Sequence, residues 1–99
     1  MTTTETAVAP EARLWSYVGK AVYVETVTKF YTGRVVDVSP EFIALTDAAW
    51  IADTGRYADA LASGNFSEVE PIPVGTLLVS IGAIVSVLEW AHPLPREQK

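Results

Sequence analysis

Hydrophobic and polar positions alternate with a period of two through most of this chain, and its densest apolar stretch, TLLVSIGAIVSVLEW at residues 76–90, carries no charge before Glu89. Successive strand residues point to opposite faces. Leu77, Val79 and Ile81 therefore share one face with Leu78 on the other, and beyond Gly82, Ile84, Ser86 and Leu88 alternate with Val85 and Val87. The pattern predicts two strands broken at Gly82 and apolar on both faces, which one thin domain cannot cover alone. Two arrangements satisfy it: an ordinary core hairpin, or an edge whose outward surface meets another copy of the chain. A membrane span is not favoured, because the apolar run falls short of the roughly 20 residues a helix needs, and Pro71, Pro73 and Gly75 stand just before it.

Taken in order, residues 1–9 are polar without apolar periodicity and are expected to form a disordered arm. Pro10 suits the first turn of a short helix through Val18, with Glu11 at its positive end, Leu14, Trp15 and Val18 on one side, and Gly19 as a stop. From Lys20 the period becomes two. Val22, Val24 and Thr26 alternate with Tyr23 and Glu25 in a first strand ending near Thr28. Residues 31–38 return as a second strand, where Gly33 marks a close backbone approach and the run Val35, Val36, Asp37, Val38 breaks alternation as a bulge does.

Ser39, Pro40 and Glu41 then turn the chain into a third strand at residues 42–46. From Asp47 to Gly64 the pattern reads as helical, with Asp53 or Thr54 as the cap, Arg56 paired with a carboxylate, and Tyr57 and Leu61 packing back on the sheet. This predicts a helical insertion over about residues 48–66. Residues 66–72 alternate again as an edge strand limited by Pro71 and Pro73. Beyond Trp90, residues 91–99 read as an extended tail.

The chain has 99 residues, 49% of them hydrophobic, which suits one compact domain over residues 10–90. It has no cysteine and one histidine, so disulfide scaffolds, thiol nucleophiles, zinc–thiolate sites and most histidine chemistry fall away. No catalytic constellation and no cofactor motif stand in the sequence. The first residues, MTTTETAVAP, lack the basic lead and apolar run of a targeting segment, so cytoplasmic residence is the default expectation. The net charge of −5, with the basic residues scattered singly, argues against binding duplex DNA or coating nucleic acid through bulk charge. Any nucleic-acid site must be local. Trp15, Trp50 and Trp90 read as core or interface anchors.

A leading helix, about five strongly bent antiparallel strands and a break at one glycine suit a small β-barrel. The layout resembles the Sm, Sm-like and Hfq family. In a first motif the resemblance is carried by Val22, Val24, Tyr31, Thr32, Gly33, Val35, Val38, Phe42, Ile43, Leu45, Asp47 and Ala48, and in a second by Val79, Ile81, Gly82, Ile84 and Val85. It implies a homo-oligomeric ring of five to seven subunits, joined edge to edge through Leu77, Leu78, Val79, Ile81, Ile84, Val85 and Val87. It also implies single-stranded RNA as a partner.

The uridine pocket that the resemblance implies needs an acid, a stacking residue and an amide after the second strand, and a basic residue before the second-motif glycine. Here Ser39 stands at the acid, Pro40 or Glu41 at the stacker, Phe42 or Ile43 at the amide, and Ile81 at the base. The candidate RNA-contacting residues are accordingly Ser39, Phe42, Lys29, Arg34, Arg56 and His92. Two readings follow: a non-enzymatic RNA-binding ring serving as scaffold or chaperone in RNA metabolism, or a ring that assembles proteins and has lost the uridine pocket.

Overall fold

A computed structural model describes residues 13–99. The alternation on each strand separates two cores. β1 (Ala21–Thr26) sends Val22 and Val24 into one cluster with Val35, Ile43, Leu45, Ala48 and Val79, and turns Tyr23 into a second with Ala49, Ile51, Ala60, Phe66, Val69 and Trp90. β2 (Phe30–Val38) and β3 (Phe42–Asp53) continue the meander, α1 (Tyr57–Ser63) follows, and β4 (Glu68–Pro71), β5 (Leu77–Ser80) and β6 (Ile84–Glu89) complete six strands.

All pairings are antiparallel, in the order β4-β3-β2-β1-β6, with β5 also on β3. Along one edge of β3, Phe42 to Leu45 face β5 and Ala49 to Asp53 face β4. The sheet curls, because Val79 from β5 and Ile84 and Val87 from β6, at opposite ends of it, join the same first core. It does not close, since β5 pairs with β3 and β6 with β1 but neither with the other.

Several expectations are corrected here. Among the described residues the strands number six, not five. The third strand does not stop at residue 46: residues 48–53, expected in the helical insertion, continue it. The cause is a bulge at Asp47, whose φ of +50° lets two residues of β3 oppose Gly33, after which Ala48 enters the first core and Ala49 the second. Asp53 and Thr54 do not cap the helix; Asp53 Oδ1 accepts the Gly55 N–H at 2.7 Å to form a turn, and Arg56 is the residue before α1. Of the leading helix, Pro10 and Glu11 lie outside the described residues, and the described part is a single 3-10 turn, Leu14–Tyr17. Gly64 does stop the insertion helix, at φ +77°.

Residues 91–99 are not a loose tail. His92 bonds Leu61, Arg96 pairs with Asp47, Gln98 donates to Glu70, and Lys99 and Val69 exchange both backbone hydrogen bonds at 2.9 Å. This strap and α1 together cover the second core.

That core is aromatic. Tyr23 stacks on Phe30, Phe66 and Trp90 at 5.7–6.0 Å between ring centroids. Its hydroxyl has no hydrogen-bond partner among the described residues, and burial, then the neighbouring Tyr57 and Glu25, push the phenol from 10.0 to about 12. An acid whose folded pKa is raised binds its proton more tightly in the native state, so stability is full below pH 10 and is lost as pH rises towards 12. The loss is on the order of 2–3 kcal/mol. Tyr23→Phe is expected to hold or raise the melting temperature at neutral pH, because it removes an unpaired buried hydroxyl, and to flatten the decline between pH 10 and 12. Thermal melts of both proteins across that range check this; parallel declines would refute it.

Candidate nucleic-acid interface

Three turns meet at one rim of the curled sheet. The 3-10 turn Ile81–Ala83 joins β5 to β6, and its two ends are held by the other turns: Ile81 N–H donates to Glu41 O at 2.9 Å, and Ala83 O accepts the Val27 N–H at 3.0 Å. The β2–β3 turn therefore lies on one side of Gly82 and the β1–β2 turn on the other. This brings Ser39 and Phe42 to one flank and Lys29 to the other, although β2 separates them in sequence.

Several of the expected contacts are already committed. The Ser39 hydroxyl accepts the Phe42 N–H at 3.0 Å and the Glu41 N–H at 3.3 Å, so it organises its own turn. Arg34 Nη1 donates to Gly19 O at 3.0 Å. His92 is half-buried, not solvent-exposed as a free tail residue would be; its Nε2–H donates to Leu61 O at 2.7 Å and its ring meets Trp90 edge-on at 5.0 Å. It clasps the strap to α1 and lies in none of the three rim turns.

Phe42 is 42% exposed and its ring is available to solvent. Arg56 is exposed just before α1 and makes no ion pair among the described residues, contrary to the expected carboxylate partner. Lys29 is the rim's cation. Its backbone is fixed by Thr26, whose N–H and hydroxyl both donate to Lys29 O, at 2.8 and 2.9 Å, while the Lys29 N–H donates to the same hydroxyl oxygen at 2.9 Å.

The residue missed as a surface group is Trp50. It was expected as an anchor in a core or interface, yet it is 41% exposed on β3, with Lys29 Nζ 5.8 Å from its ring centroid. The signal was present in Ala49, Trp50, Ile51 and Ala52, where a strand's alternation resumes after the bulge. Trp90 is buried, whereas Trp15 is exposed within the 3-10 turn Leu14–Tyr17.

The expected interface residues divide in two. Leu77, Val79, Ile81, Ile84 and Val87 pack in or against their own first core, and Leu78 and Val85 point outward, 56% and 61% exposed. No other strand among the described residues covers the outer edges of β5 and β6. No helix among the described residues is long and apolar enough to cross a membrane.

No family model matches the chain, and no curated protein matches it in sequence. Among solved structures the chain is similar to a heptameric archaeal Sm protein, with a TM-score of 0.52 and 20% identity, over 75% of this chain and 90% of that one. The fold is Sm-like, as the arrangement of the two motifs implies.

Proposed function

We propose that copies of this chain close into a homo-oligomeric ring of five to seven subunits, and that the ring is a non-enzymatic, cytoplasmic scaffold or chaperone for single-stranded RNA. The observation that carries the ring is the pair of uncovered edges on β5 and β6, flanked by the exposed Leu78 and Val85. An unpaired strand edge beside exposed aliphatic side chains invites pairing with another chain. Joining β5 of one copy to β6 of the next satisfies both edges at once and leaves none in a closed ring. The heptameric assembly of the similar archaeal protein supports the same geometry.

RNA binding rests on the rim, where Lys29 and Phe42 remain available. A second reading, a ring that assembles proteins without RNA, is favoured by the use of Ser39, Arg34 and His92 on the chain's own backbone and by Ile81 at the basic position. One sample separates the two. Light scattering reads the assembled mass against the 10.7 kDa chain, and fluorescence anisotropy reads binding of short U-rich and A-rich RNAs at low and physiological salt. Five to seven chains per particle with saturable RNA binding supports the first reading. A ring that binds neither RNA selects the second, and a monomer overturns both.

A further inference from the structure

We propose that Trp50 and Lys29 form a base-stacking platform for single-stranded RNA, separate from the β2–β3 turn where the uridine pocket is expected. The inference rests on the RNA reading above and places the contact within it.

Trp50 sits on the paired portion of β3, opposite Tyr31 of β2 and Glu70 of β4. Directly opposite residues of a ladder lie on the same face. Tyr31 packs against the first core, and Trp50 extends that row into solvent. Its ring has no aromatic partner among the described residues, unlike Trp90, which stacks on Tyr23 and Phe66. Its indole N–H meets no acceptor among the same residues. A large, rigid ring on a strand, with a free donor and an ammonium 5.8 Å from its centroid, has the parts a single-stranded nucleic acid uses: a π-face for a base and a cation for the adjoining phosphate. The ladder fixes the strand that carries Trp50, and the Thr26 bonds fix the backbone from which the Lys29 side chain reaches the indole.

The charge around the platform sharpens the expectation. Glu70, opposite Trp50, is an acid held by Gln98, and Lys29 is the basic side chain in contact with the indole. Stacking must therefore carry affinity, with a single phosphate contact beside it. For single strands each neutralised phosphate gives a log–log salt slope of about −0.7, so a slope near that value is expected. This is how a chain of net charge −5 binds RNA without a basic surface.

The test uses the full chain and six-nucleotide U and A oligoribonucleotides. Trp50→Thr, which keeps a β-forming residue on the strand, is expected to lower affinity by about tenfold or more. Trp50→Phe recovers most of it, and Trp15→Phe leaves it unchanged. Lys29→Ala weakens binding several-fold and removes most of the salt slope. In the Trp15→Phe background the exposed indole is Trp50, so saturating RNA should quench the fluorescence even if Trp50→Thr fails to fold. RNA binding by the unaltered protein without that quench, full affinity in Trp50→Thr, or a slope of several units overturns the platform and leaves the RNA reading standing. No RNA binding by the unaltered protein overturns both.

Discussion

If the chain assembles as proposed, a Leu78→Asp variant is expected to run as a 10.7 kDa monomer while the unaltered protein runs as a particle of several chains. Leu78 is 56% exposed in the single chain, so the substitution leaves the subunit's own core intact and its circular dichroism unchanged. In the assembled particle the carboxylate would lie in the β5–β6 seam, and an unpaired buried charge costs several kcal/mol. Each 1.4 kcal/mol is tenfold in affinity, so each seam weakens by at least about a hundredfold. Val85→Asp, on the opposing strand, should do the same. A variant that keeps its assembled mass in light scattering would remove the ring from consideration.

Gly33→Val is expected to lower the melting temperature by roughly 10–20 °C, the consequence of about 2–3 kcal/mol of overpacking in a domain of this size. A β-carbon at Gly33 would stand 2.9 Å from Leu45 Cβ and 3.3 Å from Thr46 O. Leu45 is fully buried and the other contact is backbone, so neither can yield cheaply. Gly82 provides the contrast. A β-carbon there would meet only Ser80 Oγ, at 3.7 Å, and Gly82→Ala should melt with the unaltered protein. The glycine that breaks the second motif is therefore not required by packing within the subunit, whereas the glycine of the first motif is. Equal melting temperatures for the two variants would contradict this.

The contrast bears on how much of the molecule the sequence displays. β1, most of β2, the bulge after Val35 and the close approach at Gly33 follow from alternation and its interruptions, because each rests on contacts between neighbouring strands that impose a period of two. The second half of β3 is hidden by the same rule. The Asp47 bulge puts Ala48 and Ala49 into different cores in succession, and two adjacent buried alanines look helical. The strap is hidden for another reason. Its anchors are a histidine on a carbonyl, a backbone exchange at Lys99 and surface pairs, none of which leaves a hydropathy pattern. At the candidate site, residue type identified groups able to bind RNA, but not which had already been committed to the chain's own backbone. Arg34 and His92 are basic in the sequence and occupied in the fold, while Trp50 is apolar in the sequence and exposed in the fold.

The pairing of β1 with β6, through Val24 and Val87 among others, joins the beginning of the described domain to its far end. On the ribosome, β1, β2 and β3 can form their meander as soon as they emerge, because they follow one another directly. The second edge of β1 must then wait for almost the whole of the remaining chain. Contacts so distant in sequence slow folding into the millisecond-to-second range, and during that interval the nascent sheet presents β1's edge, with Val22 and Val24 beside it, to every other nascent chain nearby. Yield in a cell should therefore depend on expression rate and temperature more steeply than the melting temperature of the finished protein implies.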